Sequence, residues 1–320
     1  MNLMVLAEEI IDGRRLTWED ELTRLINCPL EELRKGADRI RAHFCGDKVD
    51  LCTIINGRSG QCGEDCKYCA QSCHNHADIE TYGFLPKDEI VQAALSNEEE
   101  GVDHFSIVTA GRSLSGEDFE KALAAYREMS ERCGLELCAS HGLLTLEQFR
   151  RLREVGVTSY HANIETSRRF FPYICTTHTF EDKLEVIRRA QEAGLYVCSG
   201  GIIGMGETWE DRLDMAVTLS ELHVCSIPIN VLMPIPGTPL EGRQQLEEAD
   251  ILRTIAFFRY INPEANIRLA AGRALLTGTG TSAFESGASA TITGNMLTTS
   301  GASTIKTDRE MLRKMGRTVC

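Results

Sequence analysis

From about residue 50 onward, the chain alternates short β-type runs with longer stretches of amphipathic helical period. The strand candidates are LCTIIN from Leu51, HFSIVT from His104, LELCAS from Leu135 and TSYHANI from Thr158. They continue with LYVCSG from Leu195, CSIPINVL from Cys225, NIRLAA from Asn266 and SATITG from Ser289. Helical patterns lie between them: PKDEIVQAAL opens on Pro86, which suits a first helical turn, and TLEQFRRLREVG closes at Gly156. TFEDKLEVIRRAQEAG starts at a capping Thr179 and stops at Gly194. Eight strands in alternation with crossover helices predict parallel neighbours and an α/β (β/α)8 TIM-type barrel, with a doubly wound open sheet as the alternative. Residues 1–45 read as a helical extension packed on the barrel, and 46–320 as the barrel itself. No linker, low-complexity tract or internal repeat divides them. In either architecture ligands are expected at the C-terminal ends of the strands.

Composition narrows the class. With 320 residues, 42% hydrophobic and 25% charged, the chain suits one large soluble domain. A net charge of −13 argues against a nucleic-acid or acidic-membrane surface, and no apolar run approaches the roughly 18 residues of a membrane span. The opening MNLMVLAEEIIDGRRLTWEDEL mixes acids and bases and lacks a cleavage site, so it reads as a helix and predicts a cytoplasmic protein. Thirteen cysteines in such a setting are more at home as metal ligands than as disulfides.

Three of them make one motif. Cys62-Gly-Glu-Asp-Cys66-Lys-Tyr-Cys69 directly follows the first strand, on the expected active-site face. Three thiolates in one loop suit three irons of a [4Fe–4S] cubane, leaving the fourth iron open to a small molecule. Ferredoxin spacing differs and adds a fourth cysteine, while a structural zinc site needs four protein ligands. A non-catalytic iron or zinc scaffold is the alternative from outside enzymology.

CxxxCxxC with an aromatic before the last cysteine resembles the radical S-adenosylmethionine (SAM) superfamily, and CGEDCKYCAQS resembles its biotin synthase family. NIETS, VCSGGIIGMGET, PINVLMPIPGTPL, RLAAGR and TGNMLTT extend that resemblance over most of the chain. It implies a [4Fe–4S] cluster on Cys62, Cys66 and Cys69, with SAM on the open iron. Reductive cleavage of SAM would then give a 5′-deoxyadenosyl radical that abstracts hydrogen from dethiobiotin, and sulfur would be inserted to make biotin. Such a radical requires a dry, closed site.

The resemblance further implies SAM contacts from Tyr68, Asn163 and Glu165, the last where the family more often has aspartate. It places Asn163 and Asn230 at the substrate; an amide offers the donor and acceptor that a ureido ring needs. The glycines of GGIIGMG, by themselves ordinary turn chemistry, gain weight from the match. The family also carries an auxiliary iron–sulfur cluster on three cysteines and an arginine. Cys138, Cys198 and Arg268 match, but Ser106 stands where the remaining cysteine belongs, and serine is a poor ligand for such clusters. Cys52 is the candidate replacement. Residues 52, 54 and 56 share one face of the first strand, and one such face of a barrel strand points into the lumen. The auxiliary cluster is left open between a two-iron and a four-iron type, and Cys52 as a small buried core residue is the competing reading.

Cys28, Cys45, Cys133 and Cys320 read as packing or incidental thiols, Cys175 and Cys225 as minor candidates, and the histidines after Cys73 as solvated. The family implies a homodimer and an electron donor such as flavodoxin or ferredoxin. A related radical SAM enzyme, rearranging carbon skeletons or maturing a metallocofactor without sulfur insertion, is the second enzymatic reading, favoured by Ser106.

Overall fold

A computed structural model describes residues 2–294 and 304–319; residues 295–299 of the TGNMLTT stretch and Cys320 lie outside them. The strands are β1 (Asp50–Arg58), β2 (His104–Thr109), β3 (Glu136–Ser140), β4 (Val157–His161), β5 (Tyr196–Cys198), β6 (Gly201–Ile203), β7 (Ser226–Val231), β8 (Asn266–Leu269) and β9 (Ala290–Ile292). All their pairings are parallel, and β1 is flanked by β2 and β9. The ring closes where β5 meets β7 through Cys198 and Ser226. β5 and β6 are two pieces of one barrel strand, so the eight predicted strands form a closed (β/α)8 barrel.

The break between β5 and β6 has a steric cause. A Cβ on Gly200 would collide with the Pro228 carbonyl, and one on Gly201 with the Glu165 carbonyl and the Met215 sulfur. The backbone of this strand is pressed against both neighbours, which only glycine permits. Close packing explains this glycine pair without a ligand.

Threonines start the crossover helices where the sequence places them. Thr145, Thr179 and Thr208 each accept a hydrogen bond from the N–H three residues on, and Gln148, Asp182 and Asp211 return the contact. The outward faces of the strands meet these helices in an apolar shell that includes Leu51, Phe105, Ile107 and Leu137. Before the barrel, helices Leu3–Ile11 and Leu30–Phe44 bury Leu6, Ile10, Leu33 and Ile40. The Tyr260 hydroxyl, on helix Glu248–Ile261, donates to the Leu3 carbonyl at 3.1 Å and joins this segment to the barrel wall. No helix among the described residues is long and apolar enough to cross a membrane.

Candidate active site

The upper part of the site is the loop after β1. Its backbone is held from several sides: the Cys62 N–H donates to the Gln71 carbonyl at 3.0 Å, and the Cys69 N–H to the Cys66 carbonyl at 3.1 Å. The Asn75 amide donates to the carbonyls of Cys66 and Cys69 at 3.1 and 2.8 Å. Such ties fix the turn and leave the three thiols as the loop's chemical content. Burial pushes the Cys69 thiol up to about 11, and the Cys66 thiol is raised further by Cys175 beside it together with burial. Three soft donors in one tied turn fit an iron–sulfur cluster, which takes them as thiolates.

Beside the loop, Tyr68 is packed with its hydroxyl facing Glu165. Burial raises the Glu165 carboxyl, against the pull of Lys183, whose Nζ lies 3.8 Å away. Glu165 holds φ at +69°, a conformation that costs a non-glycine residue on the order of 1–3 kcal/mol and is maintained at functional sites by its surroundings. Those surroundings are hydrogen bonds from the Glu165 N–H to the Gly200 carbonyl (3.1 Å) and from the Ile202 N–H to the Glu165 carbonyl (2.8 Å). Asn163 accepts from the Gly200 N–H at 3.1 Å. Asn230, on β7, donates to the Gly201 carbonyl at 3.2 Å and accepts from the Ala271 N–H at 3.3 Å. Its amide therefore spans the strands on both sides, with one N–H and one lone pair still to offer.

Deeper in the barrel, the registers bring four residues into one ring. Cys52 lies opposite His104, His104 opposite Glu136, and two residues further along β3 stands Cys138. The same step from Cys138 through Ser159 and Tyr196 reaches Cys198. From Cys198 through Ser226 and Asn266 it reaches Arg268, and from Arg268 through Ala290 and Asp50 it returns to Cys52. These four residues form one interior layer drawn from alternate strand positions, as the stagger of such a barrel dictates. All four are buried, and they line a cavity of about 200 Å³. Ser106 belongs to the next layer toward the C-terminal face, with His161, Pro228 and Ile292. Its hydroxyl is fully buried and has no hydrogen-bond partner among the described residues.

Contact with Cys138 lowers the Cys52 thiol to about 7, with Arg268 and His104 helping against burial. The Cys138 thiol rises through the same contact and through burial, and burial pushes Cys198 up to about 11. Arg268 donates to Asp50 Oδ1 at 2.6 Å, to the Ser226 hydroxyl at 3.2 Å and to the Thr291 carbonyl at 3.2 Å. Asp50 also meets His104 Nε2 at 2.6 Å. Three thiols and a cation in one closed layer fit a compact anionic iron–sulfur cluster, whose sulfides need soft ligands and balancing charge.

The sequence reading missed Glu207, and it left Cys175 a minor candidate without its partners. Glu207, the acid of GMGE, accepts from the N–H groups of Gly204 (2.8 Å), Met205 (2.8 Å) and Gly206 (3.1 Å) and pairs with Arg212 at 2.8 Å. That glycine turn is thus closed by the chain's own carboxylate. Cys175 lies 3.7 Å from Cys66, sulfur to sulfur, and 3.2 Å from His178 Nδ1. The Cys-Thr-Thr-His spacing was the available signal. Cys225 stands exposed at the rim of the lower cavity, and Cys28, Cys45 and Cys133 are half-buried away from either cluster of thiols.

Residues 56–219 match the Radical SAM superfamily, and residues 228–318 match the Biotin and Thiamin Synthesis associated domain. The biotin synthase of Clostridium beijerinckii is 59% identical over 311 residues, covering 97% of this chain and 98% of that protein. The biotin synthase of Alkaliphilus metalliredigens is 58% identical over 316 residues, covering 99% of each. Among solved structures, methylornithine synthase superposes with a TM-score of 0.85 at 21% identity, over 98% of this chain and 97% of that one. A maturase of the [FeFe]-hydrogenase superposes with a TM-score of 0.83 at 17% identity, over 99% and 74%. At such identities the last two speak to the fold alone.

Proposed function

The chain belongs to the biotin synthase family of the radical SAM superfamily, and on that premise we propose how its own residues divide the reaction. The enzyme inserts sulfur into dethiobiotin to form biotin, using SAM, a [4Fe–4S] cluster, an auxiliary iron–sulfur cluster and a reductant. Rearrangement or maturation chemistry without sulfur insertion gives way to that membership.

Cys62, Cys66 and Cys69 hold the SAM-binding cluster, which when bound supplies the single electron that starts the radical chemistry. Tyr68, Asn163 and Glu165 bind SAM. The buried carboxyl of Glu165, turned by its strained backbone toward Tyr68, accepts hydrogen bonds from ribose hydroxyls, and Asn163 reaches both SAM and substrate. Asn230 presents its remaining N–H and lone pair to the ureido ring of dethiobiotin. Cys52, Cys138 and Cys198 ligate the auxiliary cluster. Arg268 completes their layer as a guanidinium that Asp50 holds in place, so its positive charge balances the thiolates.

What supports this division most is the ring of Cys52, Cys138, Cys198 and Arg268 lying in the same lumen that the three-cysteine loop caps. A barrel that only cleaved SAM would have no use for a soft-ligand layer beneath it. Residues 1–45 act as an extension packed on the barrel of 46–320. The enzyme works in the cytoplasm as a homodimer, with flavodoxin or ferredoxin as its electron donor.

The test is anaerobic reconstitution followed by counting iron and sulfide, deoxyadenosine and biotin. Cys62→Ala, Cys66→Ala and Cys69→Ala should each abolish deoxyadenosine formation. Normal deoxyadenosine yield from any reconstituted single variant would remove that cysteine from the cluster.

A further inference from the structure

We infer that Cys66, Cys175 and His178 form a second metal site, one that takes a single thiophilic divalent cation such as Fe2+ or Zn2+ while the four-iron cluster is absent. One ligand atom from each residue lies within 4.8 Å of the others, and the sulfurs of Cys66 and Cys175 are 3.7 Å apart. Two thiolates on one tetrahedral ion at about 2.3 Å each stand about 3.8 Å apart, and a thiolate and an imidazole stand about 3.6 Å apart. The sulfur pair matches the first value. His178 turns Nδ1 toward the Cys175 sulfur, at 3.2 Å against 3.9 Å for Nε2, so Nδ1 is the nitrogen placed near the second value.

The surroundings of His178 add an independent observation. Its Nδ1 lies 2.5 Å from Glu64 Oε2. The carboxylate fixes the ring with Nδ1 toward Cys175, and a metal taken there displaces the proton of that hydrogen bond. Glu64 is itself held, accepting from Thr177 Oγ1 at 2.7 Å and from Arg112 at 3.2 Å. The two loops that carry the ligands are also stitched together. The Lys67 N–H donates to the Ile174 carbonyl at 2.9 Å, and Asp65 accepts from the N–H groups of Thr176 (2.8 Å) and Thr177 (3.2 Å). Cys175 and His178 are both buried, so the donors are pre-placed in a shielded corner.

Three protein ligands leave a fourth position open, which suits a site that exchanges its ion. Cys66 cannot serve a mononuclear ion and a cubane at once, so the two occupants exclude each other. The site therefore belongs to the cluster-free chain, where it holds one ion against the loop in which the cluster is built. This inference rests on the assignment of Cys66 to the SAM-binding cluster, and the experiment separates the two.

Cluster-free, fully reduced full-length protein is titrated anaerobically with Co2+, following the sulfur-to-cobalt charge-transfer band and the tetrahedral d–d bands. One equivalent should bind tightly with two thiolates' worth of charge transfer, and Zn2+ should displace it. Cys62→Ala and Cys69→Ala should retain that spectrum, although neither assembles the four-iron cluster. Cys175→Ser, Cys175→Ala and His178→Ala should weaken Co2+ by about tenfold or more, and Glu64→Gln, which loses the carboxylate that orients the imidazole, by about tenfold to a hundredfold. Prior Zn2+ loading should slow cluster reconstitution in the natural chain and leave its rate unchanged in Cys175→Ser. Unaltered cobalt binding in both Cys175→Ser and His178→Ala, or its loss in Cys62→Ala and Cys69→Ala, would put the ion on the three-cysteine loop and overturn the site. If instead Cys66→Ala still assembles a four-iron cluster, the assignment of Cys66 fails while the cobalt result stands on its own.

Discussion

The thiol of Cys138 lowers that of Cys52 to about 7, although the whole of β2 lies between their strands. Barrel stagger brings them level, because a side chain on one strand shares its layer with side chains two strands away. Ser106, on the intervening strand, is in register with Cys138 yet belongs to the layer above. Moving a thiolate from position 106 to position 52 thus changes which wall of the lumen supplies it.

Cys52→Ser should consequently lose the auxiliary iron and biotin formation while retaining SAM-cluster iron and deoxyadenosine formation. Iron and sulfide counts on the reconstituted variant, beside the two product yields, decide the matter. Auxiliary iron equal to that of the natural chain would make Cys52 a packing residue.

Much of this was legible in the sequence, for physical reasons. The strands showed because each is a short, largely apolar run closed by a turn, and the three-cysteine loop showed because its ligands are local. Alternation also groups residues 52, 54 and 56 on one face, though which face meets the lumen is set by the barrel. What did not show depends on contacts between distant elements. LYVCSG reads as the fifth strand and GGIIGMG as the turn after it, and only the Pro228 carbonyl of the next strand explains why the strand breaks at Gly200 and resumes at Gly201. Asp50 sits just ahead of the run from Leu51, with nothing local to mark it as the partner of Arg268. Cys175 lies 109 residues from Cys66 and meets it only through loop packing.

Asn230→Ala should impair dethiobiotin use more than it impairs SAM cleavage without substrate. Removing one partner of a desolvated hydrogen bond costs about 1–3 kcal/mol, or roughly 5- to 150-fold in substrate affinity. Because the amide also bridges Gly201 and Ala271, Asn230→Asp is the companion variant: it keeps the acceptor toward Ala271 and loses the donor. Substrate affinity unchanged in both variants would take Asn230 out of the substrate site.

Glu207→Gln should destabilise the fold by about 3–5 kcal/mol, the usual result of leaving one member of a buried ion pair without its partner. Glu207 and Arg212 are both almost wholly enclosed, and the carboxylate also receives three backbone N–H groups. Glutamine matches the shape but cannot satisfy all of these donors and directs N–H groups at one of them. The urea midpoint of the cluster-free variant, measured beside that of the natural chain, reads the difference. A midpoint within experimental error of the natural chain would mean that the turn holds without the charge.

Asp211 should give the cluster-free fold part of its acid sensitivity. Burial opposes ionisation of this carboxyl, but Ser167, the Thr208 backbone and Arg169 outweigh it and hold the group below the ordinary carboxylate range. The Ser167 hydroxyl donates to Oδ1 at 2.6 Å, the Thr208 N–H to Oδ2 at 2.8 Å, and Arg169 Nε to Oδ1 at 3.0 Å. A carboxyl lowered on folding contributes stability that is fully present above its unfolded pKa of about 3.9, and that contribution fades as pH falls through the folded value. Asp211→Asn removes it at every pH. Melting temperatures of the two proteins should therefore differ most above about pH 5 and converge as the pH drops below about 4. A difference that stays constant across that window would assign the effect of Asp211 to helix capping geometry alone, with no share from its charge.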